Sequence, residues 1–448
     1  MTNRPGWAMP ALPLRPRVGV VGLSSPLEVG ADAAPRLAAA AGAWLQANGV
    51  ETVVAGAFAD ANDAVWAGRQ FAEQHVDAIM GVVASWYEDY LVLDLLEECP
   101  VPVFLWSTVG METGALCGTQ QLTCFLKQLG RPYGCAFGDL DDKACGARAL
   151  AHLRGAALQG RLRRSRIGMG GQRIGGMTHT SPNEFMLKRA VGPRVVPLDV
   201  PRLLTRAAEF SEHETRPLWE AVTGAAGECL VPEADGLDSM GIYLALTEAV
   251  EREQLDALTI GCYPHLMGRV CLAASILADK GIPMACEGDV NGAVGQLILQ
   301  LLTNHPTQHT DWLNPLDDGT VIFTHCGSGS FGLAERQSEI RLSDVRLMGQ
   351  GVCALFPAKP GPVTLLSLIG TLGGYQCALL EGEALPAPMV FPGNPVRVQF
   401  PQRTADLVDW IHEAGIGHHW MIGYGHVAAE IRAWAGCAGE SLKLVEPH

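Results

Sequence analysis

The chain of 448 residues has few charges for its size, 18 % of residues, and few aromatics, 6 %. Lys and Arg number 32 against 47 Asp and Glu, a net charge of −15. Excess basic charge is absent, so no electrostatic footprint for nucleic acid is expected. No apolar run approaches the roughly 18 residues of a membrane-spanning helix, so no membrane partner is expected. Thirteen cysteines are scattered, odd in number and never spaced C-x-x-C. A reduced, cytoplasmic chain with buried thiols explains them better than a disulfide framework. Pro10, Pro13 and Pro16 interrupt any apolar stretch at the N-terminus, which excludes a signal peptide there. G-x-S-x-G, H-E-x-x-H and G-x-x-x-x-G-K-[ST] do not occur. The Gly-rich stretch at 168–176 departs from G-x-G-x-x-G at Arg173, so it reads as a turn passing close to a neighbour or ligand.

What is present is a 48 % hydrophobic chain long enough for several domains. Short apolar strands at 17–23, 50–54, 78–85 and 101–107 alternate with helical stretches at 31–48, 62–74 and 87–98. This predicts a doubly wound parallel sheet. A long helix at 143–164 precedes a second alternating section, with strands at 166–169, 255–261, 283–286 and 321–324. From about 340 glycine and proline become frequent and short strands dominate, before helical segments at 405–413 and 427–435. The expected architecture is α/β: an N-terminal α/β domain over 1–165, a central α/β domain over 166–340, and a C-terminal antiparallel β domain with a closing helical segment over 341–448.

In parallel sheets ligands gather at the carboxyl ends of strands. The polar residues that follow the strands are therefore the site candidates. Glu287 and Asp289 follow the strand at 283–286; as a purely structural residue, Asp289 would cap the next helix. His265 follows the strand at 255–261, and His325 the strand at 321–324. His418 and His419 lie together in GIGHHW. Trp86 and Glu88 follow the strand at 78–85, and Trp106 is a weaker sugar-stacking candidate. Imidazoles alongside carboxylates have the composition of a divalent-metal centre.

The same segments resemble the L-fucose isomerase/L-arabinose isomerase family. GCYPHLMGRVCLAASILADKGIPMACEGDVNGAVGQLILQLL is similar to the family's C-x-P-E segment followed by E-x-D before a Gly-Ala helix start. GHHWMIGYGHVAAEI resembles its N-H-I-x-x-x-Y-G-H segment, and SWYEDY and VPVFLWSTVG its N-terminal domain. The resemblance implies two α/β domains plus a C-terminal β domain, and metal-assisted aldose–ketose interconversion, usually with Mn²⁺ (Mg²⁺ or Co²⁺ also suit the donor set). It implies Asp289 and His419 as metal ligands. His265 stands where the fucose-type pattern has a glutamate, and is expected to complete the metal shell. The arabinose-type pattern uses Glu287 instead.

On this reading Asp289, with Glu287 second, moves the proton that passes between neighbouring carbons of a free sugar through an ene-diolate. His325, His418, Trp86 and Glu88 are the expected substrate contacts. The family's N-terminal domain reaches a neighbouring subunit's site, so a homo-oligomer, trimer or hexamer, is expected. Because His265 replaces a glutamate, two other readings stay open: a metal-dependent lyase, aldolase or decarboxylase on the same fold, and a non-catalytic sugar-binding protein.

Overall fold

A computed structural model of the chain describes residues 13–58 and 60–447. Pro10 and the residues around it, part of the signal-peptide reading, lie outside the described residues. The chain forms two compact units, one of Leu14–Arg161 with Ala429–Glu440, the other of Leu162–Ala428 with the segment from Ser441 onward.

The first unit contains β1 (Arg17–Leu23), β2 (Glu51–Ala57), β3 (Ala78–Val83), β4 (Val103–Ser107) and β5 (Tyr133–Phe137). They form one parallel sheet in the order β2-β1-β3-β4-β5. Strands β3 and β4 are buried along their whole length, as expected for a sheet covered on both faces. One face packs Phe71, Leu95 and Leu122, and the other Leu45, Phe104, Trp106 and Leu153. The helices start where the side chains allow: Asp60 accepts hydrogen bonds from the backbone N–H of Asn62 and Asp63 to open Ala61–Glu73. The C-terminal segment returns to this unit because Trp434 is fully buried here and donates from Nε1 to Gln159 Oε1 at 2.7 Å.

The second unit begins with β6 (Arg166–Gly170), β7 (Arg194–Leu198), β8 (Glu228–Cys229), β9 (Ala257–Ile260) and β10 (Met284–Ala285). Four of them form a parallel sheet in the order β10-β9-β6-β7. There follow β11 (Thr307–Pro315), β12 (Thr320–Thr324), β13 (Arg341–Ser343), β14 (Cys353–Leu355), β15 (Gly361–Gly370), β16 (Tyr375–Leu385), β17 (Val396–Gln399), β18 (His419–Tyr424) and β19 (Leu442–Val445). Seven make a mixed sheet, β15-β18-β11-β12-β17-β16-β19, in which β15 also pairs with β16. Six strands thereby close on themselves as an antiparallel barrel, and β19 joins β16 in parallel. Strands β14, β13 and β8 form a small third sheet.

The α/β and β parts of this unit share one core, from Val196 and Leu258 to Val321, Leu365 and Trp420. β11 and β12 belong to the barrel, so its strands begin well before residue 340. Helix Val290–Thr303 is buried from Val290 to Leu302, which is why apolar residues dominate every face of it, with Asn291, Gln296 and Gln300 as its buried polar side chains. Gly295 lets it lie against the barrel, since a Cβ there would stand 2.7 Å from Leu366 and 2.9 Å from Met421. The N-terminus of this helix is thus held at the first residue of β18, His419.

Candidate active site

The turn after β10 carries two carboxylates in a conformation that few sequences tolerate. Glu287 has φ 66° and Gly288 φ 73°. The left-handed region costs a non-glycine residue about 1 kcal/mol. Three hydrogen bonds donated by backbone N–H groups hold the turn. Cys286 N–H donates to His309 Nδ1 (3.0 Å), Gly288 N–H to Ile260 O (3.0 Å) and Asp289 N–H to Cys286 O (3.1 Å). Asp289 then caps helix Val290–Thr303, its Oδ1 accepting from Gly292 N–H at 2.9 Å.

The barrel supplies the facing side. β11 and β18 are antiparallel with Asp311 opposite His419. Residues two apart share a strand face, so His309 and Asp311 point the same way, toward His419. His325 enters from the end of β12. His419 Nδ1 lies 2.7 Å from Asp289 Oδ2, and its Nε2 lies 3.2 Å from Glu287 Oε2 and 3.6 Å from Asp311 Oδ1. His325 Nε2 lies 3.8 Å from Glu287 Oε2, and His309 Nε2 3.8 Å from Asp289 Oδ2. The rings of His309 and His325 stack at 4.9 Å. Oδ1 of Asp311 is buried without a hydrogen-bond partner, as are Nδ1 of His325 and Nε2 of His309.

Charge in the cluster is strongly displaced. Burial pushes the Glu287 carboxyl up, but hydrogen bonds from His325 and His419 outweigh it and hold it well below the usual carboxylate range. Burial lowers His419, yet Asp289 and Glu287 together raise it to about 9. His325 is likewise raised, against burial, by Cys326 and Glu287. Burial and the neighbouring His419 and His325 hold His309 well below its ordinary value. His309 is therefore neutral. Its Nδ1 accepts from Cys286, so its one proton sits on Nε2, aimed at Asp289.

Of the residues expected from sequence, Glu287, Asp289, His325 and His419 come together. His418 is exposed at the rim, its ring 4.3 Å from that of His419. His265 does not join them. Leu266 and Met267 turn into the core, with exposures of 8 % and 3 %, and leave the His265 side chain exposed. The described His groups whose ligand atoms converge are His309, His325 and His419, and His179, His418 and His419. His309, Asp311 and His179 thus take part where the sequence pointed to His265. The H-x-D alternation in the strand at 307–315 was the available signal for the first two.

In the other unit Trp86 donates from Nε1 to Gln121 Oε1 at 2.9 Å, and Ser25 Oγ donates to Glu88 Oε1 at 3.3 Å. Trp106 is fully buried and bonded to Gly138 O, a core residue with no free face for a sugar.

No protein-family model matches the chain. It is similar to the sulfoquinovose isomerase of Priestia aryabhattai, 23 % identical over 372 residues, which cover 80 % of this chain and 82 % of that protein. The sulfoquinovose isomerase of Alkalicoccus urumqiensis is 24 % identical over 368 residues, 80 % of this chain and 83 % of its own. That of Clostridium sp. (strain MSTE9) is 24 % identical over 335 residues, 72 % and 75 %. These similarities, spanning most of each chain, support an isomerase acting on a sugar.

Proposed function

We propose that the chain is an aldose–ketose isomerase acting on a free sugar, with a sulfonated hexose such as sulfoquinovose as substrate, and that a divalent cation serves the reaction. The observation that carries the metal is a run of close donor contacts: Glu287 Oε2 lies 3.2 Å from His419 Nε2 and 3.8 Å from His325 Nε2, and Asp311 Oδ1 lies 3.6 Å from His419 Nε2. The orphaned, buried Asp311 oxygen fits this role, because an unsatisfied buried carboxylate oxygen is costly unless something occupies it. Two carboxylates and two imidazoles suit Mn²⁺, Mg²⁺ or Co²⁺. Such an ion, when bound, supplies positive charge that stabilises developing negative charge on two adjacent sugar oxygens.

The chain's own residues do the rest. Both oxygens of Asp289 are engaged, by Gly292 N–H and His419 Nδ1. We therefore assign Asp289 to positioning: it fixes the His419 ring so that Nε2 faces Glu287 and Asp311. Glu287 and Asp311 have side-chain exposures of 14 % and 31 % against 4 % for Asp289. They are the carboxylates a sugar can reach, and one of them takes the proton from the carbon beside the carbonyl.

Incubation of the metal-loaded protein with sulfoquinovose in D₂O tests this reading. The expected product is a ketose of unchanged composition, with deuterium on the carbon beside its carbonyl. Two smaller fragments would replace isomerisation by C–C cleavage, and binding without turnover would leave a sugar-binding protein.

A further inference from the structure

Three carboxylates line the cluster, which opposes the approach of an anionic sugar. The loop after β6 carries the counter-charge. This loop is built into the site. A Cβ on Gly261 would stand 2.1 Å from Gln172 O, and one on Gly288 would stand 2.9 Å from the Arg173 N and Cα. Both glycines are thus needed for residues 172–173 to lie across the turn that bears Glu287 and Asp289. At its far end the loop is tied to the same helix start: Asn291 Nδ2 donates to His179 O at 3.3 Å, and Tyr375 OH donates to Asn291 Oδ1 at 3.2 Å. His179 packs on Gly417, its ring 5.0 Å from that of His418.

Arg173 is half-buried in this loop. Its Nη1 donates to the carbonyls of Ile174 (2.8 Å) and Gly175 (3.1 Å). Among the described residues it has no carboxylate in ion-pair contact, although Glu287 and Asp289 belong to the very turn its backbone covers. A guanidinium that is anchored by carbonyls keeps its charge and its remaining N–H donors for an incoming anion. His179 adds a buried, unpartnered Nε2 on the same rim. A Cβ on Gly175 or Gly176 would meet nothing within 4 Å, so the loop is open where a ligand would arrive.

We propose that Arg173, with His179, forms a subsite for a tetrahedral anionic group of the sugar, and that this subsite selects sulfonated over neutral hexoses. The inference rests on the isomerase reading for its substrate class. The shared chemistry of sulfonate and phosphate ester is a tripod of charged oxygens, and the two sources are separated by assay. The subsite gives the loop its purpose: it places a fixed positive charge beside a carboxylate-rich centre, so that only a sugar bringing its own anion gains from both.

The test compares wild type, Arg173→Gln and Arg173→Lys with sulfoquinovose, glucose 6-phosphate and glucose, by kcat/KM and by calorimetric Kd. The expected result is that Arg173→Gln lowers the sulfoquinovose-to-glucose ratio tenfold or more, mainly through KM, with Arg173→Lys in between. In wild type, sulfoquinovose is expected to exceed glucose 6-phosphate; the reverse order would overturn the sulfonate assignment. An unchanged ratio in Arg173→Gln, with an unaltered melting temperature, would overturn the subsite. If wild type turns over none of the sugars, the isomerase reading fails, while the Kd ratios still decide the subsite.

Discussion

His419 Nδ1 and Asp289 Oδ2 lie 2.7 Å apart in a buried setting. This one pairing decides which face of the imidazole meets the rest of the cluster. With Nδ1 committed to Asp289, Nε2 is left for Glu287, Asp311 and any cation between them. Asp289 is held for this pairing because its other oxygen caps a helix that is buried along nearly its whole length.

Asp289→Asn keeps an N-cap residue but offers His419 an N–H donor or a neutral oxygen in place of a carboxylate. The folded protein is expected to survive, because Asn caps as well as Asp. Metal affinity and kcat are expected to fall by about 10- to 100-fold, as for loss of an outer-shell partner to a ligating histidine. Calorimetric Mn²⁺ titration alongside the isomerase assay checks this; unchanged affinity would show that the His419 ring needs no such support.

His265 faces solvent, so His265→Ala is expected to leave the Mn²⁺ stoichiometry unchanged. A lost equivalent of metal in the variant, read by elemental analysis, would return His265 to the site.

Gly288→Ala places a Cβ 2.8 Å from Gln172 O in a backbone of φ 73°. The strain and the overlap together are expected to cost about 2 kcal/mol and to push the Arg173 loop outward. Thermal unfolding measures the first. A rise in KM for sulfoquinovose relative to glucose measures the second.

Acid stability has a specific expected source in the N-terminal unit. His152 is buried beneath Phe104 with its Nε2 unpartnered, and burial lowers its pKa from 6.5 to about 4. The native state therefore favours the neutral ring. The associated stability is complete above pH 6.5, the unfolded value, and is lost as pH falls toward 4. Its size is about 3 kcal/mol. His152→Leu is expected to flatten the fall in melting temperature across that range; an identical slope in both proteins would remove His152 as the cause.

Much of this arrangement is legible in the sequence. Strands read from unbroken apolar runs lie where expected, as at 17–23, or end slightly early, as the run expected at 78–85 does at Val83, and helix 143–164 has the expected limits. The carboxylate turn and the His-His pair were visible because they follow such runs. Other features depend on tertiary pairing. The strand at 307–315 opens with buried polar residues, Thr307 to Thr310, so its burial against β18 and β12 has no apolar signature. His309 and Asp311 acquire their meaning only from the register that sets Asp311 opposite His419. His265 shows the converse: its spacing to Asp289 matches a family pattern, but the apolar residues that follow it take the core and turn it away. The β-barrel begins before 340 for the same reason, since β11 is recruited by its partners rather than by its composition.

If Glu287, Asp311, His325 and His419 hold a cation, isomerisation depends on it. The most direct measurement is conversion of sulfoquinovose to its ketose by chelator-treated protein, before and after return of Mn²⁺, in wild type and Asp311→Asn. No conversion is expected without metal, with recovery at one Mn²⁺ per chain in wild type and no comparable recovery in Asp311→Asn. Full conversion by the chelated protein, or equal recovery in both, would contradict this expectation.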